Sequence, residues 1–162
     1  MKNIVLLLIV TLISCSDDNG NNPSNTNIDV GVSFYLKNAS GENLLNTSNY
    51  ISDNFRIFNV INGEVQEVNM PQMDYPRNFF INDETTPISM RLFLNHTENE
   101  EFPITYIKWN QDDTDTIKAD FDRGTTNEID YIICKKIWYN DQLVWDTTTP
   151  AGITGREITV TK

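Results

Sequence analysis

The hydrophobic pattern divides the chain into three unequal parts. Ile4 to Ile13 is an apolar run. Residues 16–27 carry no apolar side chain other than Pro23. From Ile28 onward, apolar and polar residues alternate in short bursts. That alternation has the period of two that buries one face of a β-strand. Val30, Val32, Phe34 and Leu36 alternate with Gly31, Ser33, Tyr35 and Lys37, and the run closes on the turn cluster Asn38-Ala39-Ser40-Gly41. Phe55 to Val68 reads as a hairpin around Asn62-Gly63, a dipeptide suited to the positive φ angles of a type I′ turn. Pro71, Pro76 and Pro87 break up the next stretch, which leaves Phe79, Phe80 and Ile81 as a short strand. Met90, Leu92 and Leu94 alternate again. Ile104–Trp109 and Thr116–Phe121 form a second hairpin. Thr105, Ile107, Trp109, Ile117, Ala119 and Phe121 point inward, and Tyr106, Lys108, Lys118 and Asp120 face water.

Asp130 to Tyr139 is the longest strand-like run. A regular strand would place Tyr131, Ile133 and Ile137 on one face and Ile132, Cys134 and Trp138 on the other. Two apolar faces predict a central strand, and Lys135-Lys136 in its middle predict a bulge or lysine heads on packed stems. Asn140-Asp141 turns the chain into Leu143-Val144-Trp145. Glu157 to Thr161 closes the body with Ile158 and Val160 inward. No segment has helical periodicity. The pattern predicts an all-β domain over residues 28–162: an immunoglobulin-like β-sandwich of about seven to nine antiparallel strands, without that fold's cysteine pair. A small β-barrel is the alternative.

The first part of the chain follows a different logic. Lys2, the apolar run and Ser14 have the layout of a secretory signal. The run is about half the roughly 20 apolar residues that cross a bilayer. The block Leu12-Ile13-Ser14-Cys15 resembles a bacterial lipobox. The resemblance implies removal of residues 1–14 and a thioether-linked diacylglycerol on Cys15, usually with a third, amide-linked chain. Residues 15–27 then become a lipidated cysteine and a linker too polar to order itself, spanning roughly 20 Å. Asp17-Asp18 resembles the acidic export signal that places some Gram-negative lipoproteins on the outer face. Within the body, the hairpin around Asn62-Gly63 and two further segments resemble small surface lipoproteins of Gram-negative anaerobes. Those segments are Tyr106-Ile107-Lys108-Trp109-Asn110, followed by Asp115-Thr116-Ile117, and Ile133-Cys134-Lys135-Lys136-Ile137-Trp138-Tyr139. That group has no assigned activity, so the likeness implies a fold and a place: the cell envelope, lipid-anchored in the outer membrane and facing outward.

Charge narrows the partners. Twelve basic residues stand against 23 acidic ones, and loss of Lys2 with the signal would leave 11. Such an excess argues against nucleic acid, whose binding needs cationic contacts to phosphate. It equally disfavours an electrostatic hold on anionic lipid. Membrane contact would come from the acyl chains on Cys15, of which two or three hold stably. Lipidation leaves Cys134 as a single thiol in a strand, where cysteine behaves as a small hydrophobe.

Few side chains suggest chemistry. Asp112, Asp113 and Asp115, with Asn110, are candidate oxygen ligands for calcium, but the loop lacks the glycine and distal glutamate of a helix-loop-helix site, and a solvated hairpin tip is the favoured reading. Trp138, Tyr139 and Trp145 are candidate contacts for a glycan ring or a protein, against the alternative that they fill the core. His96 is the only histidine, so no histidine-based triad is expected. No cofactor is implied. Asp115-Thr116-Ile117 and Asp146-Thr147-Thr148 resemble the O-glycosylation triplet of the same bacteria. The resulting expectation is a non-catalytic, membrane-anchored module binding a glycan or an envelope protein. A structural or accessory envelope lipoprotein and a small glycosidase using two carboxylates are the alternatives. Mass spectrometry of the mature protein should find Cys15 as an acylated N-terminal residue. Cys15→Ser should move the protein from the detergent to the aqueous phase on cloud-point partition.

Overall fold

The computed structural model describes residues 26–84, 86–150, 152 and 155–162. The signal, Cys15, Asp17-Asp18 and the linker up to residue 25 lie outside the described residues. Eleven strands make up most of the rest: β1 (Thr26–Asp29), β2 (Gly31–Lys37), β3 (Arg56–Ile61), β4 (Glu64–Glu67), β5 (Phe79–Asn82), β6 (Ser89–Phe93), β7 (Ile104–Lys108), β8 (Thr114–Thr126), β9 (Ile129–Tyr139), β10 (Gln142–Asp146) and β11 (Glu157–Thr161). They form a seven-stranded sheet in the order β1-β9-β8-β7-β3-β4, with β10 also paired to β9, and a four-stranded sheet in the order β11-β2-β6-β5. The sheets do not close into a barrel, and the domain is a β-sandwich. Its first strand starts at Thr26, two residues before the expected boundary.

Two pairings are parallel, where antiparallel neighbours were expected throughout. β1 runs parallel to β9, and β11 runs parallel to β2. Both involve a terminal strand whose partner is distant in sequence, so no hairpin sets its direction. The chain then crosses from one sheet to the other at the buried Val30, between β1 and β2. Backbone groups at such a crossing leave their ladder and need other partners. Arg156 supplies them. Its Nη1 donates to the carbonyls of Asp29 at 2.8 Å and Gly31 at 3.1 Å, on either side of Val30.

Turn chemistry explains the hairpins. Asn62 and Gly63 have φ of 53° and 80°, as a type I′ turn requires, and Asn140 and Asp141 repeat the pattern at 47° and 64°. The β8–β9 turn uses Asn127 and Glu128 at 51° and 64°. Glu rarely takes positive φ, so this turn carried no sequence signal. β8 accordingly runs on to Thr126, five residues past the expected end of the strand.

The layers meet around Trp109. Phe34 from the small sheet and Phe55 from the segment before β3 meet its ring edge-on, at 6.5 Å and 5.1 Å, and all three are fully buried. Such edge-to-face pairs add about 0.5–1.5 kcal/mol beyond area burial. The inward faces of β2, β7, β8 and β11 are those that alternation predicts.

β9 is the exception, and its bulge is the reason. Asp120 pairs with Lys136 and Phe121 with Cys134, which leaves Lys135 as an extra residue on β9. An extra residue reverses the alternation beyond it. Ile137 therefore joins Ile132 and Cys134 in the core, while Trp138 faces outward. Burial pushes the Cys134 thiol up to about 12, so it stays protonated among its apolar neighbours. Ile137→Ala should lower unfolding free energy by about 2–5 kcal/mol. Trp138→Ala should cost only about 1 kcal/mol. Urea titration of both variants measures the difference, and equal losses would remove the phase reversal.

Candidate functional site

The two ends of the sandwich differ in character. At the end where β7 turns into β8, Asp115 is buried at 4% exposure. Trp109 Nε1 donates to its Oδ2 at 2.5 Å, and the Tyr139 hydroxyl and the Lys162 ammonium donate to the same oxygen. Asn140 Nδ2 donates to Oδ1 at 2.7 Å. Lys162 also reaches Asp113 Oδ1 at 2.6 Å, and the Tyr50 hydroxyl donates to the other Asp113 oxygen at 3.1 Å. Burial raises the Asp115 pKa, but the hydrogen bonds from Lys162, Tyr139, Asn140 and Trp109 together outweigh it, and the net shift is downward. Tyr139 moves the opposite way, raised by burial and then by its bond to the Asp115 carboxylate, and remains a donor.

This cluster brings together Asp113 and Asp115, suggested for calcium, and Tyr139, suggested as an aromatic contact. The cation that Asp113 and Asp115 hold is Lys162, and Asp112 is exposed at the turn with its N–H on Asn110. Among the described residues no three His, Cys, Asp or Glu side chains come together as a metal site. Tyr139 faces inward to Asp115. Trp145 is buried at 5% exposure, and its Nε1 donates to Gly155 O at 3.0 Å. Of the three aromatics, Trp138 alone faces out, with Phe102 against its edge and the Lys118 ammonium 5.1 Å from its ring centre.

The other end of the sandwich is open. A groove of about 820 Å³ lies there. Its strand-borne lining comes from the large sheet: Thr26 and Ile28 of β1, Asn59 and Ile61 of β3, Gln66 and Glu67 of β4, and Ile132 of β9. No strand of the small sheet contributes. Two loops complete it, one carrying Met70 and Met73 and the other running from Asn95 to Glu98. The first is folded back by Met70 N–H bonding to Pro76 O at 2.8 Å.

The second loop is pinned by Asn95, which is buried at 3% exposure. Its Nδ2 donates to Val60 O at 2.8 Å and Ile104 O at 3.1 Å, while its Oδ1 accepts from the Thr97 N–H and hydroxyl. His96 Nδ1 lies 3.1 Å from Leu94 O. A carbonyl only accepts, so the neutral ring carries its proton on Nδ1 and keeps Nε2 as an acceptor.

Two polar atoms at this end lack a protein partner among the described residues: Asn59 Oδ1, an acceptor, and Arg123 Nη1, a donor. Arg123 lines a neighbouring hollow that shares Thr26, Glu98 and Ile132 with the groove. Leaving such buried groups unpaired costs about 1–3 kcal/mol each. Sequence reading missed this site, because its residues are spread over four strands and two loops with no motif spacing.

Asp115 gives the locked end a pH dependence. A depressed folded pKa means that its stabilisation is fully present above the unfolded carboxylate value of about 3.9. It is lost as pH falls through the lower folded value. Asp115→Asn should reduce unfolding free energy at neutral pH by about 3 kcal/mol, since Asp113 still pairs with Lys162. The variant should also show a shallower loss on acidification, as measured by urea unfolding across the acid range.

Comparison of the chain with protein-family models, with curated proteins and with solved structures finds no match.

Proposed function

We propose that this protein is a lipid-anchored, non-catalytic binding module of the cell envelope, and that the open groove takes an extended segment of a protein partner. One observation carries this reading: the large sheet leaves part of its inner surface free of the small sheet's strands, and Asn59 on that surface has an Oδ1 without a protein partner among the described residues. That oxygen is an acceptor of the kind a peptide N–H would pair with. The lining supplies Asn59, Gln66, Asn69 and Asn78 as further amides, with Ile28, Ile61, Met70 and Met73 as apolar contacts. Methionine is unbranched and adapts to irregular partners. A glycan would instead call for an exposed Trp, Tyr or Phe ring, and the groove lining contains none of these, while Trp138 on the outer face is already flanked by Phe102 and Lys118.

The anchor supports the same reading. β1 begins at Thr26, which itself lines the groove. A tether from Cys15 would therefore arrive at the open end and leave the locked end distal. A linker of this length reaches roughly 20 Å, which puts the groove within range of envelope proteins at the bilayer surface.

Glu67 and Glu98 both line the groove, so a second reading as a carboxylate-based glycosidase keeps a specific observation. Peptide display against the mature protein tests the first reading. Selected peptides should bind saturably, and Met73→Glu or Ile28→Glu should weaken binding tenfold or more, the effect of about 1.4 kcal/mol. Hydrolysis of chromogenic glycosides that disappears in Glu98→Gln would replace binding by catalysis.

A further inference from the structure

A second hollow, distinct from the groove, lies at a seam between the sheets, lined by residues of β1, β9 and β10 of the large sheet, by Arg91 of β6 in the small one, and by the segment before β11. It encloses about 380 Å³ and is lined by Asp29, Arg91, Ile133, Cys134, Trp145 and Arg156, among others. Two guanidinium groups thus share one cavity in a chain whose net charge is −11.

Their bonding is unequal. Arg156 is engaged on several sides: it clamps the carbonyls of Asp29 and Gly31, forms an ion pair with the Asp29 carboxylate, and lies over the Trp145 ring. Arg91 rises from β6 on the outer face of the small sheet and lies flat against Gly31. A Cβ there would sit 2.5 Å from Arg91 Nη2. Its Nη1 donates to Ser33 Oγ at 3.3 Å. Among the described residues no carboxylate stands within ion-pair distance of it, because Asp29, the acid in this cavity, belongs to Arg156. Burial, with the nearby positive charge of Arg156, pulls the Arg91 pKa down from 12.5 against the opposing pull of Asp29. Arginine does not give up its proton in proteins, so the group stays charged. Two cations against one anion leave this cavity with one positive charge in excess.

We infer that the seam cavity is an oxyanion site in which Arg91 grips a carboxylate, sulfate or phosphate group on a small ligand, with Arg156 held alongside as a fixed second positive charge. The guanidinium fork matches such groups with two parallel hydrogen bonds. Gly31 lets the fork lie close to the β1–β2 crossing, and Ser33 orients it. Arg156 acts by position, since most of its donors hold the crossing. The site does not depend on the groove or its occupant.

The test is titration of the full chain, purified in a non-ionic detergent, with sulfate, phosphate, acetate and glucuronate at constant ionic strength. Calorimetry reads binding, and the Arg91 side-chain N–H resonances report whether the ligand is there. At least one of the four should bind saturably and shift those resonances, while chloride should not. Arg91→Gln should weaken binding on the order of tenfold or more. Asp29→Asn, which removes the competing carboxylate, should tighten it. Saturation by glucuronate or acetate alone would identify carboxylate ligands, and saturation by sulfate or phosphate alone would identify tetrahedral ones. No saturable binding by any of the four, or binding that persists unchanged in Arg91→Gln, would overturn the proposal. Should Arg91→Gln fail to fold, the Asp29→Asn titration and the wild-type resonances decide it.

Discussion

A buried carboxylate must be surrounded by donors or it will not stay charged. Asp115 meets that demand with groups from four parts of the chain: Trp109 after β7, Tyr139 at the end of β9, Asn140 in the following turn, and Lys162 beyond β11. The first three belong to the large sheet, and Lys162 follows the edge strand of the small one. The requirement therefore fixes where the two layers sit relative to each other at this end. Trp109 links it to the core, because the indole whose N–H meets Asp115 packs its ring between Phe34 and Phe55. Hydrophobic packing supplies adhesion without direction. The carboxylate supplies direction.

With one end closed by charge, the other end is free to differ. There polar side chains join the aliphatic ones, with Asn95 and Thr105 buried and Asn59 among the groove's lining, and strands of the wider sheet line the groove without the small sheet's. Rigidity at one end and an open surface at the other is a common arrangement for binding proteins, because a site built on strands holds its shape while nearby loops adapt. The seam between the sheets is a third environment, held by Arg156 where the chain changes sheets. Three polar devices, each on a different margin of the core, thus set the orientation, the opening and the crossing of the two layers.

The acidic surface fits these placements. Edge strand β4 carries Glu64 and Glu67 on a fully exposed run, and charges on an edge discourage pairing with another chain. Against that background the two arginines of the seam stand out. Asp29 matches Arg156, and among the described residues Arg91 beside it has no carboxylate within ion-pair distance.

Period-two alternation, the Asn-Gly and Asn-Asp turns and the doubled lysines were legible in the chain. They located most strands, the inward faces of β2, β7, β8 and β11, and the bulge in β9, because these are local consequences of backbone geometry. The same local information put Ile137 on the wrong face, since the phase beyond a bulge depends on which residue is extruded, and the pairing partner decides that. It ended one strand at Phe121 and began the next at Asp130 with no turn assigned between them, because Glu128 adopts a conformation its side chain does not favour. It could offer Asp113 and Asp115 only as candidate metal ligands or a solvated turn, because nothing near Asp115 in sequence shows that Lys162 would fold back from 47 residues away. Strand order, the two parallel pairings, the groove and the paired arginines all come from contacts between distant residues. Sequence determined most of the strands and their inward faces, because those follow from local backbone geometry; only the tertiary structure decided the phase beyond the bulge and which charges would meet.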